Sequence, residues 1–503
     1  MNRREILGYL GSFPFAATAA AQGARHPRSA GEFRAGVTPA DYSYPVGDVR
    51  RYGMRPDAHP RANAAALQNS LAANPGGASV IRGPGIEYPL RGRVAAPPGT
   101  SIILGDGARL RWLATEPGEA RLLRGATRPG IEVQGDDFHL TGVGELVGPS
   151  EGAYVANEIG ILCVGRSASQ PRKGFEVGPG VKLANWGSRG IAAQFVSGIR
   201  VTGTTITGCG YGGMQFLSCR EGKVLSNLVG PIGPGASGNA YGISCSHDSL
   251  GYAEDPYALE NGKRAANPFC SNFEVASNTV HDIPLWTGID FHGAYDCSAH
   301  DNKVYNCRNG VLLQGSSGQA AGFAGENNSV VNNIITTSRM GGGPTTVTEM
   351  TRLGISVNGG KRVRHRSVKV QGNRIEGYGD SRNTSFSLEH SFTSDLEIEG
   401  NTLSSWRGYG FYSAFSQGEI RNNEFGAVTD PRSTACIFVA IGGVLRIVGN
   451  REVPRGGRAP LYGVYLNSPD DRSCVIRDND FSAVTALRYA GHGGRPLPRD
   501  QMG

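Results

Sequence analysis

The 503-residue sequence predicts an all-β fold, a right-handed parallel β-helix solenoid with a short N-terminal strand-helix-strand cap. Three observations predict it: a returning Asn-marked phrase, a Gly-opened strand after most of those phrases, and a composition suited to short strands joined by tight turns. Gly is abundant at 75 residues, while charged residues make up only 18%. Collagen is excluded because Gly keeps no three-residue period. Disorder is excluded because short β-branched runs recur through most of the chain.

The phrase becomes regular from about Ile199 onward, as FEVASNTVHD, SAHDNKVYNC, SVVNNIITTS, VKVQGNRIEGYG, LEIEGNTLSSW, GEIRNNEFGAV, LRIVGNREV and CVIRDNDFSAV. Its shared residues are Asn278, Asn302, Asn332, Asn373, Asn401, Asn423, Asn450 and Asn479, so one unit runs from 22 residues (401 to 423) to 41 (332 to 373). Units of that length with loop insertions are turns of a solenoid. Asn suits the sharp bend between two short parallel strands because it tolerates the left-handed conformation. Stacking turns also sets Asn above Asn, where side-chain amides can hydrogen-bond along the axis. Flanking Val, Ile and Leu alternate with polar residues, pointing in turn into the core and into water. A Leu-dominated consensus or roughly 40-residue blades would indicate a leucine-rich repeat or a propeller, and neither pattern is present.

These repeats, over roughly residues 130 to 485, resemble those of the pectate-lyase-like right-handed parallel β-helices. The opening residues agree: Asp48 to Met54, Ala64 to Leu71 and Ser79 to Ile81 are similar to the strand, short helix and strand that cap the first turn in that superfamily. The acidic cluster usual between the two is reduced here to Asp57, so no subfamily is identified. The organisation expected is a signal peptide at 1–21, a linker at 22–47, the cap and first coils at 48–130, the β-helix at 131–485 and a flexible tail at 486–503.

Arg3 and Arg4 precede a moderately apolar stretch from Ile6 to Phe15 and a small-residue run ending at Ala21. This pattern reads as a cleaved leader and resembles a twin-arginine export signal. No later apolar run approaches the roughly 18 residues needed to span a bilayer. A periplasmic or secreted protein is therefore expected, without a transmembrane anchor. The formal charge of +7 is mild. With no helix-turn-helix, zinc-finger or aromatic RNA-binding signature, nucleic acid is not an expected partner. Nine cysteines show no metal-binding spacing. Cys297 with Cys307, or Cys209 with Cys219, could bridge, but small apolar fillers of a stacked core are the expectation.

The Gly-opened strands locate the chemistry. Gly242–Ser246, Gly288–His292, Gly310–Gln314, Gly354–Asn358 and Ser385–Glu389 place Ile243/Cys245, Ile289/Phe291, Val311/Leu313, Ile355/Val357 and Phe386/Leu388 in the core. The alternate residues then face outward. Aligned on the opening residue, His292, Gln314, Asn358 and Glu389 form one polar row, with His247, Asp248 and His390 just beyond the strands. Asp290 and His292, on one face of one strand, are the expected acid–base pair, with His247 in reserve. Gln314, Asn358, Glu389, Lys361, Arg362 and Trp286 are expected to bind substrate. The cationic run Lys361, Arg362, Arg364, His365 and Arg366 leaves the same face and suits an anionic polymer such as a uronic-acid chain. Trp186 and Trp406, by contrast, are expected to cover the core.

Two enzymatic chemistries remain open. β-Elimination, or the related epimerisation, needs a base beside a carboxylate-bearing sugar. Hydrolysis needs two carboxylates roughly 5–9.5 Å apart. Asp290, Phe291 and His292 loosely resemble the Asp-Pro-His-Asp motif of parallel β-helix alginate epimerases, with Phe for Pro and Gly293 for the second Asp. A non-catalytic polysaccharide-binding β-helix is the third reading. Asp470, Asp471 and the Gly491–Gly493 stretch imitate part of a polygalacturonase signature, but its remaining elements are missing. No cofactor or metal site is expected, and no motif supports calcium.

Overall fold

The computed structural model describes residues 25–497 apart from 115–127, 151–152, 234–237, 248–258, 261–262, 265–267, 316–322, 343, 348–351, 360–362, 380–385, 431–433, 454–456 and 469–472. The leader at 1–21, Asp248, Lys361, Arg362, Asp470 and Asp471 lie outside the described residues.

The chain winds as a parallel β-helix with three walls. Among the described residues the first wall holds 14 strands, each paired in parallel with its counterpart one coil away. One coil shows the plan. Ser271–Ala276 lies on the first wall, and Thr279–His292 then runs across the second wall and onto the third with an irregularity between Ile283 and Thr287. Neighbouring coils stack at about 4.8 Å, the spacing of hydrogen-bonded strands. The core column is that predicted: Ile243, Cys245, Ile289, Phe291, Val311, Leu313, Ile355, Val357 and Leu388 are buried. All nine cysteines are buried free thiols, so neither candidate bridge forms. Trp186 and Trp406 are also core residues.

The asparagine column is the most regular feature of the interior. Asn227, Asn278, Asn302, Asn333, Asn373, Asn401, Asn423, Asn450 and Asn479 form an unbroken series. In each step the backbone N–H and the side-chain amide both donate to Oδ1 of the next Asn at 2.9–3.0 Å. The member of the third phrase-bearing coil is thus Asn333 and not Asn332. The left-handed bend is also displaced by one residue from expectation. Ser277, Asp301, Asn332, Gly372, Gly400, Asn422, Gly449 and Asp478 carry the positive φ, and the following Asn turns inward to satisfy its neighbours. Thus the bend selects small or polar residues, and the column selects Asn.

The strand-opening glycines have a different cause from the one tight turns suggest. Gly242 and Gly288 do not have positive φ. A Cβ there would sit 2.5 Å from Val280 Cγ1 and 2.8 Å from Val304 Cγ1, respectively. Glycine is required because side chains of the second wall already fill the corner.

Both ends depart from the expected boundaries. Residues 22–47 are not simply a linker: Ser29 caps a short helix, Ala30–Arg34, and Glu32 forms a fully buried ion pair with Arg51 at 2.6 Å. Asp48 to Gly53 is a 3-10 turn with one bridge to Val80, not a strand, and the longer helix Pro60–Ala73 follows. At the other end, Leu487–Gly491 continues the third wall and folds back against Arg495–Pro496, so the predicted tail is ordered structure as far as 497.

Asn401→Ala should lower unfolding free energy by about 2–4 kcal/mol, because it orphans the amide of Asn373 and the carbonyl of Val370 inside the core. Urea unfolding followed by circular dichroism measures this. A change below about 0.5 kcal/mol would show that the column is not needed for stability.

Candidate functional site

Third-wall register sets the site. Gln215, Ser244, Asp290, Leu312, Ser356, Glu389, Tyr412, Phe438 and Tyr465 form one outward row, each paired with the next. His292, Gln314, Asn358 and Ser391 form the adjacent row. Asp290, His292, Gln314 and Asn358 therefore lie where the sequence places them, but Glu389 does not. It pairs with Ser356, two residues from its expected position opposite Asn358. The strand lacks the opening Gly on which alignment relied. A two-residue slip leaves every side chain on its own face, so the alternation pattern could not reveal it. Glu389 consequently shares Asp290's row, three coils or about 14 Å away.

The same slip moves His390 into the core, paired with Val357 on one side and Ser413 on the other. Both its ring nitrogens are buried without a hydrogen-bond partner, as is Ser413 Oγ. It is not part of the outer polar face.

Much of this row is covered: Gln215, Ser244, Leu312 and Ser356 are all buried. Among them Asp290 is the carboxylate, alternating with core residues Ile289 and Phe291 and only 1% exposed. Ser244 Oγ donates to Oδ2 at 3.4 Å, and His292 Nδ1 lies 3.7 Å from that oxygen, beyond hydrogen-bond range. Oδ1 is buried and has no hydrogen-bond partner. His292, at 24% exposure, is the more accessible of the pair.

His247 packs beside them, its ring 6.2 Å from that of His292. Phe269 lies 4.4 Å and Phe323 5.5 Å from the His247 ring, and Phe323 also covers His292 at 4.9 Å. Gly293 makes room for this packing, having φ of +71° and no Cβ to strike either phenylalanine. Burial first, and His292 second, push the His247 pKa down to about 4, so its imidazole is neutral at neutral pH. On the opposite side stand Tyr241 and Tyr211, ring centroids 5.5 Å apart, with the Arg189 guanidinium over Tyr211. Burial, and then the nearby Asp290 carboxylate, raise the Tyr241 phenol, which stays a proton donor.

Neither the phenylalanines nor the tyrosines were legible as site residues. Tyr211 and Tyr241 immediately precede strand-opening glycines, the one local signal available. Phe269 and Phe323 reach the site only through loops.

Other candidates are placed as follows. Trp286 is half-buried at the corner before Asp290, with Arg308 over its ring at 5.2 Å. Asn358 Oδ1 accepts from Ser391 Oγ at 3.1 Å, and its carbonyl faces His365. Burial raises the pKa of Glu389, partly offset by the Ser356 hydroxyl that donates to it at 3.0 Å. The described members of the expected cationic run, Arg364, His365 and Arg366, do not gather at Asp290. Arg364 reaches the Phe415 carbonyl two coils further on, Arg366 lies on the first wall, and His365 is fully buried.

Residues 257–435, little more than a third of the chain, match the family described as NosD, periplasmic copper-binding protein. No curated protein matches. Among solved structures, the pre-mature gene product 12 of bacteriophage phi29 is similar with a TM-score of 0.53 at 11% identity, over 90% of this chain. This chain spans 58% of the length of that protein. The periplasmic alginate epimerase AlgG gives a TM-score of 0.41 at 12% identity, covering 82% of this chain and 78% of its own. The Yersinia enterocolitica family 28 exopolygalacturonase gives 0.38 at 13%, with the same coverages. At such identities the likeness concerns fold alone. For the copper in the matched family's description, the described residues offer no matching donor set. Among the described residues no three His, Cys, Asp or Glu side chains converge as a metal site requires, and every cysteine is in the core.

Burial of these histidines makes stability pH-dependent. His390 and His365 are pushed down to about 3 and about 4 by desolvation. An unfolded chain then protonates first, so their contribution is whole above pH 6.5 and falls as pH drops toward the folded values. Glu452, stacked on Phe425 and raised by burial to about 7, has the opposite sign: its contribution is whole below pH 4.5 and lost as pH rises through 7. Between pH 6.5 and 4, His390 alone should remove about 3 kcal/mol. Urea unfolding at pH 7, 5.5 and 4 should show that His390→Leu flattens the acid slope. An unchanged slope would place the acid sensitivity elsewhere.

Proposed function

We propose that this chain, a right-handed parallel β-helix protein of the pectate-lyase-like kind, is an exported carbohydrate-active protein that binds a polysaccharide along its third wall. It acts on that chain by acid–base chemistry at Asp290, His292 and His247. One observation carries the reading: an outward carboxylate, buried with an unpartnered oxygen, stands beside two histidines. Buried orphan polar atoms and displaced pKa values gather where ligands complete the structure.

The geometry favours β-elimination or epimerisation of a uronic-acid unit over hydrolysis. An imidazole, that of His292 or the desolvated His247, removes the proton next to the sugar carboxylate. Gln314, on the neighbouring coil, supplies an amide toward the developing charge. Elimination expels the glycosidic oxygen and leaves an unsaturated end, whereas epimerisation returns a proton to the opposite face. Asp290 orients and electrostatically supports the histidines. Hydrolysis would need a second carboxylate within roughly 9.5 Å; among the described residues of this row the other carboxylate, Glu389, is about 14 Å along it.

Lys361 and Arg362 remain proposed substrate contacts on the sequence argument alone, with Trp286, Asn358 and Glu389 as further contacts along the wall. Export rests on the leader and agrees with the periplasmic description of the matched family. Among the described residues no helix is long and apolar enough to cross a membrane.

Incubation with alginate, polygalacturonate and other uronic polymers, read by absorbance of unsaturated ends, tests the proposal. His292→Ala and Asp290→Asn should each lower turnover by about 10²–10⁴-fold. New reducing ends without unsaturation would point to hydrolysis, and retention without any product to a binding protein.

A further inference from the structure

The orphaned atoms of the third wall carry information about which edge of a sugar can face them. Asp290 Oδ1 and Gln314 Oε1 are both buried and without a hydrogen-bond partner. Asp290 pairs with Leu312, two residues before Gln314, so the two are diagonal neighbours on adjacent coils, roughly 7–8 Å apart at their α-carbons. One sugar unit spans such a gap with two ring substituents. Both oxygens are acceptors, and a carboxylate offers nothing else. An ester carbonyl, an ether oxygen or a second carboxylate brings only lone pairs and would meet Asp290 with repulsion. An O–H group satisfies it.

We infer that the unit seated over Asp290 turns free hydroxyls onto Asp290 Oδ1 and Gln314 Oε1, so that the protein selects glycans unsubstituted at those positions and rejects O-acetylated ones. The inference rests on the polysaccharide reading of this wall but not on its catalysis. His292, the more exposed member of the pair, marks the side of approach. A carboxylate carried by the same sugar then faces the histidines or solvent, away from the acidic floor.

Affinity electrophoresis of the whole chain, through gels cast with xylan, mannan, alginate or polygalacturonate in free and O-acetylated form, tests this. Any polymer that retards the protein should do so at least about tenfold more strongly when free than when acetylated. Gln314→Leu should reduce that ratio several-fold, while Gln314→Glu, which keeps the acceptor, should preserve it. Thermal melting confirms that both variants are folded. Equal retardation by the acetylated polymer, a ratio unchanged in Gln314→Leu, or retardation by no polymer overturns the inference. Because retention is read without turnover, absence of unsaturated ends removes the catalytic reading while leaving this one standing.

Discussion

Each phrase-bearing coil of this solenoid closes on an asparagine whose side chain completes the hydrogen bonding of its neighbours. The amide of one Asn reaches a carbonyl in the coil before, while its oxygen receives both N–H groups of the preceding Asn. A buried turn would otherwise leave those backbone groups unsatisfied. The column therefore fixes where each coil ends relative to the last, and with it the register of all three walls. Insertions are free to vary between coils because the closure point does not move.

Packing at the corner adds a second constraint. Val280, Val304 and their counterparts fill the space in front of the third wall, which is why the strands there open on glycine. That tight corner holds the third-wall strands close to the core. Their outward side chains then stand on a rigid surface, and Asp290 can be held in a desolvated position that a loop would not maintain. Asp290 and His292 are thus built on a strand, while among the described residues the loops contribute His247 and the covering aromatics Phe269 and Phe323.

Polar groups within and on this scaffold divide into two kinds. The Asn column is fully paired and stabilising. His390, Ser413, Glu452 and Asp290 instead hold buried atoms with no hydrogen-bond partner, each at a cost in stability. His390 and Glu452 take core positions, where burial simply suppresses their charge. Asp290 differs because it points outward beside groups able to exchange protons, and this is what separates a candidate site from an internal defect.

Local sequence determined the coil. Alternating apolar residues, the recurring Asn and the Gly-opened strands are periodic signals, each enforced at every turn by the same contacts, so they repeat often enough to be read. Asp290 and His292 were legible for the same reason, lying in a strand that follows the rule. The position of Glu389, the burial of His390 and the closure of the site by Tyr241, Phe269 and Phe323 were decided by tertiary structure. A strand without its glycine can slip by two residues without turning a side chain over, and an aromatic arriving from a distant loop leaves no local period. Only the stacking of whole coils settles which of these residues meet.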